Sequence, residues 1–207
     1  MILIVKHVAI EGPGTIGTFF EQLRWDMRTV ELQEVGASCC PCGHQDAFPD
    51  DLSCTEAIII LGGPMNVYEE NKYPFLKEEH VFIEEALRRE IPILGICLGA
   101  QLLAKAAGAK IHKADCTQIG WDSVELTPEG VEDHLFSGLP ARLRVFQWHE
   151  DTFELPTGAV LLATSQDCRN QAFRVGKNAY GLQFHVEVTD REIKDWFDEY
   201  CAEYEPL

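Results

Sequence analysis

The sequence predicts an open α/β sheet, mostly parallel, with helices on both faces and antiparallel strands added in its C-terminal half. Three observations lead there. Short apolar runs alternate with helical stretches as far as Gly108, the rhythm of parallel strands joined by crossover helices. Glycine-rich turns directly follow two of those runs, at Gly62-Gly63-Pro64 and at Gly95-Ile96-Cys97-Leu98-Gly99. Beyond Gly108 the helical stretches give way to short strand-like runs separated by turns.

In order along the chain, residues 2–8 read as a first buried strand, residues 15–27 as a helix and residues 30–35 as a second strand. Residues 57–61 form a continuous buried run, followed by a helix over 74–89 and a strand over 92–96. Residues 98–107 have helical composition and stop at Gly108, a suitable C-cap. Short strands are expected at 109–113, 121–126, 143–147, 159–163, 171–175 and 180–184. A last helix opens at Thr189, where Thr189 and Glu192 can form a capping box, and runs to about Tyr204. The elements add up to a single-domain, flavodoxin-like open sheet over residues 1–207, with no internal repeat or linker.

Bulk properties narrow the functional classes. The 207 residues suffice for a core that needs no disulfides, and 46% apolar with 25% charged residues excludes a disordered chain. A formal net charge of −17 argues against nucleic acid and against an anionic membrane surface as partners. No apolar run approaches about 20 residues, and the N-terminus lacks the zones of a signal peptide. Eight cysteines without an export signal suggest reduced thiols and a cytoplasmic setting. The cluster Cys39-Cys40-Pro41-Cys42-Gly43-His44, with Cys54 further on, invites a zinc reading. A second Cys-x-x-Cys pair is missing, and adjacent Cys39 and Cys40 cannot easily face one ion, so a reduced surface loop is preferred and no metal is expected.

The chemistry concentrates at Cys97. A strand that ends in Gly-x-Cys-x-Gly and continues as a helix is the cysteine form of the nucleophile elbow, where flanking glycines remove Cβ atoms that would clash on the sharp turn. The helix N-terminus behind it favours negative charge. A plainer reading, a buried cysteine that packs as a small hydrophobe, stands beside this one. Gly62-Gly63-Pro64 shifts the balance, because loops after neighbouring parallel strands lie at one edge of the sheet. A backbone N–H there and the Leu98 N–H could form an oxyanion hole, worth about 10²–10³ in rate per donor. His185 ends an apolar strand, and Glu187 follows on the same side by two-residue alternation, so the carboxylate can fix the ring tautomer and stabilise imidazolium.

Four segments together, Leu61-Gly-Gly-Pro64, Gly95-Ile-Cys-Leu-Gly-Ala-Gln101, Phe146-Gln-Trp-His-Glu-Asp151 and Tyr180-Gly-Leu-Gln-Phe-His-Val-Glu187, make the chain resemble a class I (triad-type) glutamine amidotransferase over nearly its whole length. The likeness is to the glutaminase domain of GMP synthase and its stand-alone relatives. It implies Cys97 as nucleophile, His185 as general base and acid, and Glu187 as its orienter. It further implies Gly63 and Leu98 as oxyanion donors, and Gln101 as a contact of the glutamine backbone groups. The segment Trp148, His149, Glu150 and Asp151 matches the stretch that lines the substrate's amino-acid end, which makes His149 structural or substrate-lining and not a second base. Two departures stand out. Val186 replaces the proline of many relatives, and no synthetase half follows in this chain. Nor is there a Gly-x-x-x-x-Gly-Lys-Ser/Thr loop, so use of ATP is not expected.

The implied reaction is attack of the Cys97 thiolate on the glutamine carboxamide, release of ammonia after protonation by His185, and hydrolysis of a γ-glutamyl thioester without metal or organic cofactor. A synthetase subunit that takes the ammonia and a second copy of the chain are both open as partners. The same residues could instead cleave γ-glutamyl peptides or conjugates. A non-catalytic regulatory module is a third reading, and the retention of cysteine, histidine and glutamate together argues against it. The loops at residues 11–14 and 65–71 should lie at the same edge as Cys97. Glu69 and Glu70 are then candidates for selecting the leaving group, against the plainer reading of a solvated acidic loop. Finally, the Gly62–Gly63 peptide has the conformational freedom to switch an oxyanion hole on and off when a partner binds.

Overall fold

Strand β1 (Ile2–Lys6) is apolar on both faces of its pleat, and it lies one place in from the edge of a nine-stranded sheet. The computed structural model that shows this describes residues 1–32, 48–49 and 51–201. β1 pairs in parallel with β2 (Met27–Glu31) at the edge and with β3 (Ala57–Ile60) on its other side. The parallel half continues through β4 (Ile93–Ile96) to β9 (Ala179–Leu182). From β9 the sheet runs on antiparallel through β8 (Ala172–Val175), β7 (Val160–Thr164), β5 (Ile111–Leu126) and β6 (Arg142–Phe153). The expected architecture, parallel sheet with an antiparallel extension, is therefore the observed one.

Alternation along the parallel strands divides the core between two faces. Leu3, Val5, Ile58 and Ile60 point to one face, where they meet Leu76, Phe82 and Ile83 of α2 (Phe75–Arg88) and Leu102 and Leu103 of α3 (Leu98–Ala106). Ile2, Ile4, Ile59 and Leu61 point to the other, against Ile16 and Phe20 of α1 (Gly14–Gln22). Helix α3 is buried continuously from Leu98 to Ala104, which its run of Ala and Leu allows. Its end is closed by Gly108 at φ +86°, with Gly108 N–H on Lys105 O and Ala109 N–H on Ala104 O, a Schellman motif. The capping box predicted for the last helix is present: Thr189 Oγ1 accepts from Glu192 N–H, and Glu192 Oε2 accepts from Thr189 N–H.

Several boundaries differ from the sequence reading. The first helix stops at Gln22, and Met27 already belongs to β2, which covers 27–31. Residues 33–35 and the cysteines at 39–42 lie outside the described residues. The two short strands expected at 109–113 and 121–126 are one strand, β5, interrupted by a register shift between Lys113 and Gln118 where it pairs with the longer-than-expected β6. β5 is largely exposed and polar, so it shows no apolar alternation and its pairing with the mostly buried β6 had no signature in the sequence. A short α4 (Pro128–Glu132) and a 3₁₀ turn (His134–Phe136) had gone unnoticed, although Thr127 caps α4 through Gly130 N–H, with Pro128 at the first helical position. The final helix, α5 (Asp190–Tyr200), is capped at Cys201 and not at Tyr204. Among the described residues no helix is long and apolar enough to cross a membrane.

One close approach locks the elbow to the sheet. A Cβ placed on Gly99 would lie 2.2 Å from the carbonyl oxygen of Ile60, a backbone atom of β3 that cannot swing away. Gly99→Ala should therefore push α3 off the sheet and destabilise the protein by about 2–4 kcal/mol, lowering Tm by roughly 5–15 °C. Thermal unfolding checks this, and a variant melting within about 2 °C of the parent would refute the close contact.

Candidate active site

β4 ends at Ile96, and α3 begins at Leu98, so Cys97 alone makes the turn. It does so at φ +51°, ψ −105°, a conformation that a non-glycine residue adopts only when the surroundings enforce it. The enforcing contacts are a Cys97 N–H bond to Leu182 O at 2.8 Å and the Gln101 N–H bond to Cys97 O at 3.1 Å. Gly95 is required because its Cβ would sit 2.5 Å from Gly99 O.

His185 follows β9, the neighbour of β4, which brings the imidazole beside the thiol. Its Nδ1 faces Glu187 Oε1 at 2.7 Å, and Glu187 Oε2 accepts from Val186 N–H at 2.9 Å. Both residues are almost wholly buried. Burial alone would push the imidazole toward its neutral form. The Glu187 charge, with the thiol's hydrogen bond and field, outweighs it and holds the pKa well above the ordinary value. A carboxylate on Nδ1 leaves Nε2 to exchange a proton with the sulfur, the arrangement needed for acid–base work. The ring also packs edge-on against Trp196, centroids 5.0 Å apart, with the indole held by Ile10 O.

Strand β6 reaches this spot through one isolated bridge. His185 N–H donates to Phe146 O at 2.8 Å, which lays residues 148–151 over Cys97. The thiol donates to Trp148 O at 3.4 Å. Gln101 donates to Asp151 O at 3.1 Å and to Gln183 Oε1 at 3.3 Å, so it ties the elbow helix to this segment. His149 is buried, with Nδ1 on Asp151 O at 3.0 Å and Nε2 unpartnered. Burial pushes its pKa down to about 4, against a raising hydrogen bond and with a further lowering from His185, so the ring is neutral near neutral pH. Asp151 is 3% exposed, and among the described residues neither of its carboxylate oxygens has a partner within hydrogen-bond geometry, although its charge adds to burial in raising the pKa of the Tyr68 hydroxyl. Two buried acceptors without a partner among the described residues suit a donor that enters the cavity. Glu150 is exposed at the mouth and pairs with Lys113 at 3.0 Å.

Of the residues singled out from the sequence for the triad, the oxyanion hole and the substrate wall, all but Glu187, which stands behind His185, line one cavity of about 330 Å³. All ten residues singled out from the sequence thus gather at one place. A larger apolar cavity of about 500 Å³ opens at the other end of the strands, near Phe19, Phe20 and Pro92, and holds no cysteine, histidine or carboxylate. Among the described residues no cluster of three or more His, Cys, Asp or Glu is arranged to hold a metal.

The acidic loop differs from expectation. Glu70 pairs with Lys105 at 2.6 Å, and Glu69 accepts from Asn66 N–H at 2.8 Å; neither lines the cavity, which the loop enters only through Met65 and Asn66. The carboxylate that does line it is Glu11, from the loop after β1. Glu11 is buried and accepts from Tyr200 O–H at 2.8 Å. Burial raises its pKa, while the His185 charge and the Tyr200 bond oppose that rise. Its Oε2 lies 2.7 Å from where a Gly62 Cβ would be, and His185 Cε1 lies 3.1 Å from the same point. Glu11, Trp196 and Tyr200 had no motif to mark them. The signal available was the acidic residue inside Glu-Gly-Pro-Gly directly after a buried strand.

Comparison with known proteins points the same way. The model of the glutamine amidotransferase class-I family matches residues 28–199. The GMP synthase [glutamine-hydrolyzing] of Porphyromonas gingivalis is 36% identical over 155 residues, 74% of this chain and 29% of that protein. The chain thus spans less than a third of the GMP synthase it matches. The glutamine amidotransferase-like protein YfeJ of Salmonella typhimurium is 31% identical over 72% of this chain and 64% of its own length. A crystal structure of a glutamine amidotransferase from Thermotoga maritima superposes with a TM-score of 0.85 at 40% identity, covering 98% of this chain and 82% of that one.

Proposed function

The chain belongs to the class I glutamine amidotransferase family, and from that premise we propose that it hydrolyses the glutamine side-chain amide to glutamate and ammonia through a γ-glutamyl thioester on Cys97. The Cys97 thiolate attacks the carboxamide carbon, and the oxygen takes up negative charge facing the N–H groups of Gly63 and Leu98. His185 Nε2 passes its proton to the departing nitrogen, and the C–N bond breaks to release ammonia. The ring then takes a proton from water, the hydroxide adds to the thioester, and glutamate leaves as the sulfur departs. Glu187 stabilises the imidazolium throughout.

One observation supports this reading: the thiol and the imidazole, backed by Glu187, share a cavity whose wall offers two carboxylate oxygens of Asp151 that have no partner among the described residues. Those oxygens suit the ammonium group of an amino acid, which would place a γ-carboxamide at Cys97. Gln101, Trp148 and His149 complete that wall, with Glu150 at its rim. The ammonia would pass to a synthetase, a reading supported by the likeness to the longer, glutamine-hydrolyzing GMP synthase of P. gingivalis. The position of Glu11 beside His185 favours a second reading, in which a larger amine leaves from a γ-glutamyl peptide or conjugate and the acid accepts its hydrogen bonds.

The deciding experiment assays glutamine, γ-glutamyl dipeptides and glutathione with ammonia and amine release measured separately. Glutamine should give the largest kcat/KM; a far larger value for a γ-glutamyl peptide would replace the first reading by the second. Asp151→Asn should raise KM for every γ-glutamyl substrate by about 10–100-fold, because it removes the charge facing the substrate ammonium. An unchanged KM would remove Asp151 from the substrate site.

A further inference from the structure

The Gly62–Gly63 peptide is held from behind by a buried ion pair that the reaction does not use. His7 and Glu79 are both 0% exposed. His7 Nδ1 lies 2.8 Å from Gly62 O, and Nε2 lies 3.1 and 3.2 Å from the two oxygens of Glu79. A carbonyl oxygen only accepts, so Nδ1 carries a proton and donates it to Gly62. Burial alone would neutralise the ring, but the charge and hydrogen bond of Glu79 and the Gly62 contact raise its pKa above the ordinary value.

A trans peptide is planar, with C=O and N–H pointing in opposite directions. With Gly62 O fixed on His7, the Gly63 N–H must face away from His7, and Gly63 lines the cavity that holds Cys97. No acceptor among the described residues takes the Gly63 N–H. Rotation of this peptide would strand a buried imidazole N–H without a partner, which is strongly disfavoured. The peptide is also packed on both sides. A Cβ on Gly62 would meet Glu11 Oε2 at 2.7 Å, and one on Gly63 would meet Met65 Sδ at 2.7 Å and His7 Cβ at 3.0 Å.

We infer that His7, backed by Glu79, is a positioning residue that keeps the oxyanion-binding N–H of Gly63 permanently aimed at the reacting carbon, so that hydrolysis needs no partner to assemble the site. The inference rests on the thioester reading above. It replaces the switchable glycine peptide expected from sequence with a pinned one.

Two substitutions separate positioning from mere packing. His7→Asn places an amide N–H near the position of Nδ1, whereas His7→Gln places one near Nε2 and leaves Gly62 O without its donor. Glutamine hydrolysis by His7→Asn should stay within a few-fold of the parent. His7→Gln should lose about 10–100-fold in kcat with KM unchanged, because an oxyanion donor acts on the transition state and not on bound substrate. Affinity for glutamate γ-semialdehyde, which adds to the thiol and places an oxyanion in the hole, should fall in parallel. Equal activity of the two variants, or a change in KM alone, overturns the inference. Nitrogen-15 NMR of the unaltered protein keeps the test independent of variant folding: His7 Nδ1 must appear protonated and slow to exchange, and an unprotonated Nδ1 overturns it. If the purified parent turns over no γ-glutamyl compound and its Cys97 is not labelled by a glutamine-like electrophile, the thioester reading falls and this inference falls with it. A parent that works only after a synthetase is added, with a protonated Nδ1, overturns the partner-free claim alone.

Discussion

Cys97→Ala is expected to lower glutamine hydrolysis by roughly 10⁴-fold or more while leaving Tm within a few degrees of the parent. The first half follows from the proposed covalent step, which needs a thiolate at the elbow beside His185. The second follows from the position of the residue. Its sulfur makes one weak bond, to Trp148 O at 3.4 Å, and accepts a long one from Gln183 at 3.8 Å. The backbone bonds that hold the strained turn do not involve the side chain. In the parent, a glutamine-like electrophile should label Cys97 ahead of the other seven cysteines. Cys168 is disfavoured as a competitor because burial raises its pKa. Peptide mapping that places the label on Cys39 or Cys42 would sink the assignment.

His185→Asn is expected to cost nearly as much as loss of the thiol, because groups that act as a unit are not additive. Glu187→Gln should be milder, by about one to two orders of magnitude, since Glu187 orients the ring and moves no proton. The control is His149→Asn. His149 lines the same cavity, but its Nδ1 is engaged by Asp151 O, and its pKa near 4 makes it a poor base at neutral pH. Steady-state kinetics of the three variants rank them. If His149→Asn reduces kcat more than His185→Asn, the base has been misassigned.

The contrast between these histidines shows what a local sequence pattern can carry. The grouping of Cys97, His185 and Glu187 was legible because each sits in a local pattern with a physical requirement: glycines at a clashing turn, and a carboxylate two residues from a histidine, although both lie beyond the end of β9 and not on the strand expected to end at His185. His7 and Glu79 were not read, although a trace was present. Glu79 occupies the apolar stripe of α2 between Leu76 and Phe82, where a carboxylate must find a buried partner. Nothing local says that the partner is His7, 72 residues away. Glu11 belongs to a loop expected at the right edge, yet the sequence pointed to the acids of the 65–71 loop, and it is Glu11 that lines the cavity.

The sequence by itself determined the alternation of strands and helices, the elbow and the Thr189–Glu192 capping box, because these depend on side-chain period and on contacts within a few residues. Tertiary structure alone decided the rest. The 16-residue span of β5, the Phe146–His185 bridge that lays the 148–151 segment over the thiol, the lid of Trp196 and Tyr200, and the His7–Glu79 clamp behind Gly62 are all pairings between distant segments. Such pairings are chosen by which surfaces the folded sheet brings together and by the cost of leaving a buried polar group alone, and neither is written in any local stretch of residues.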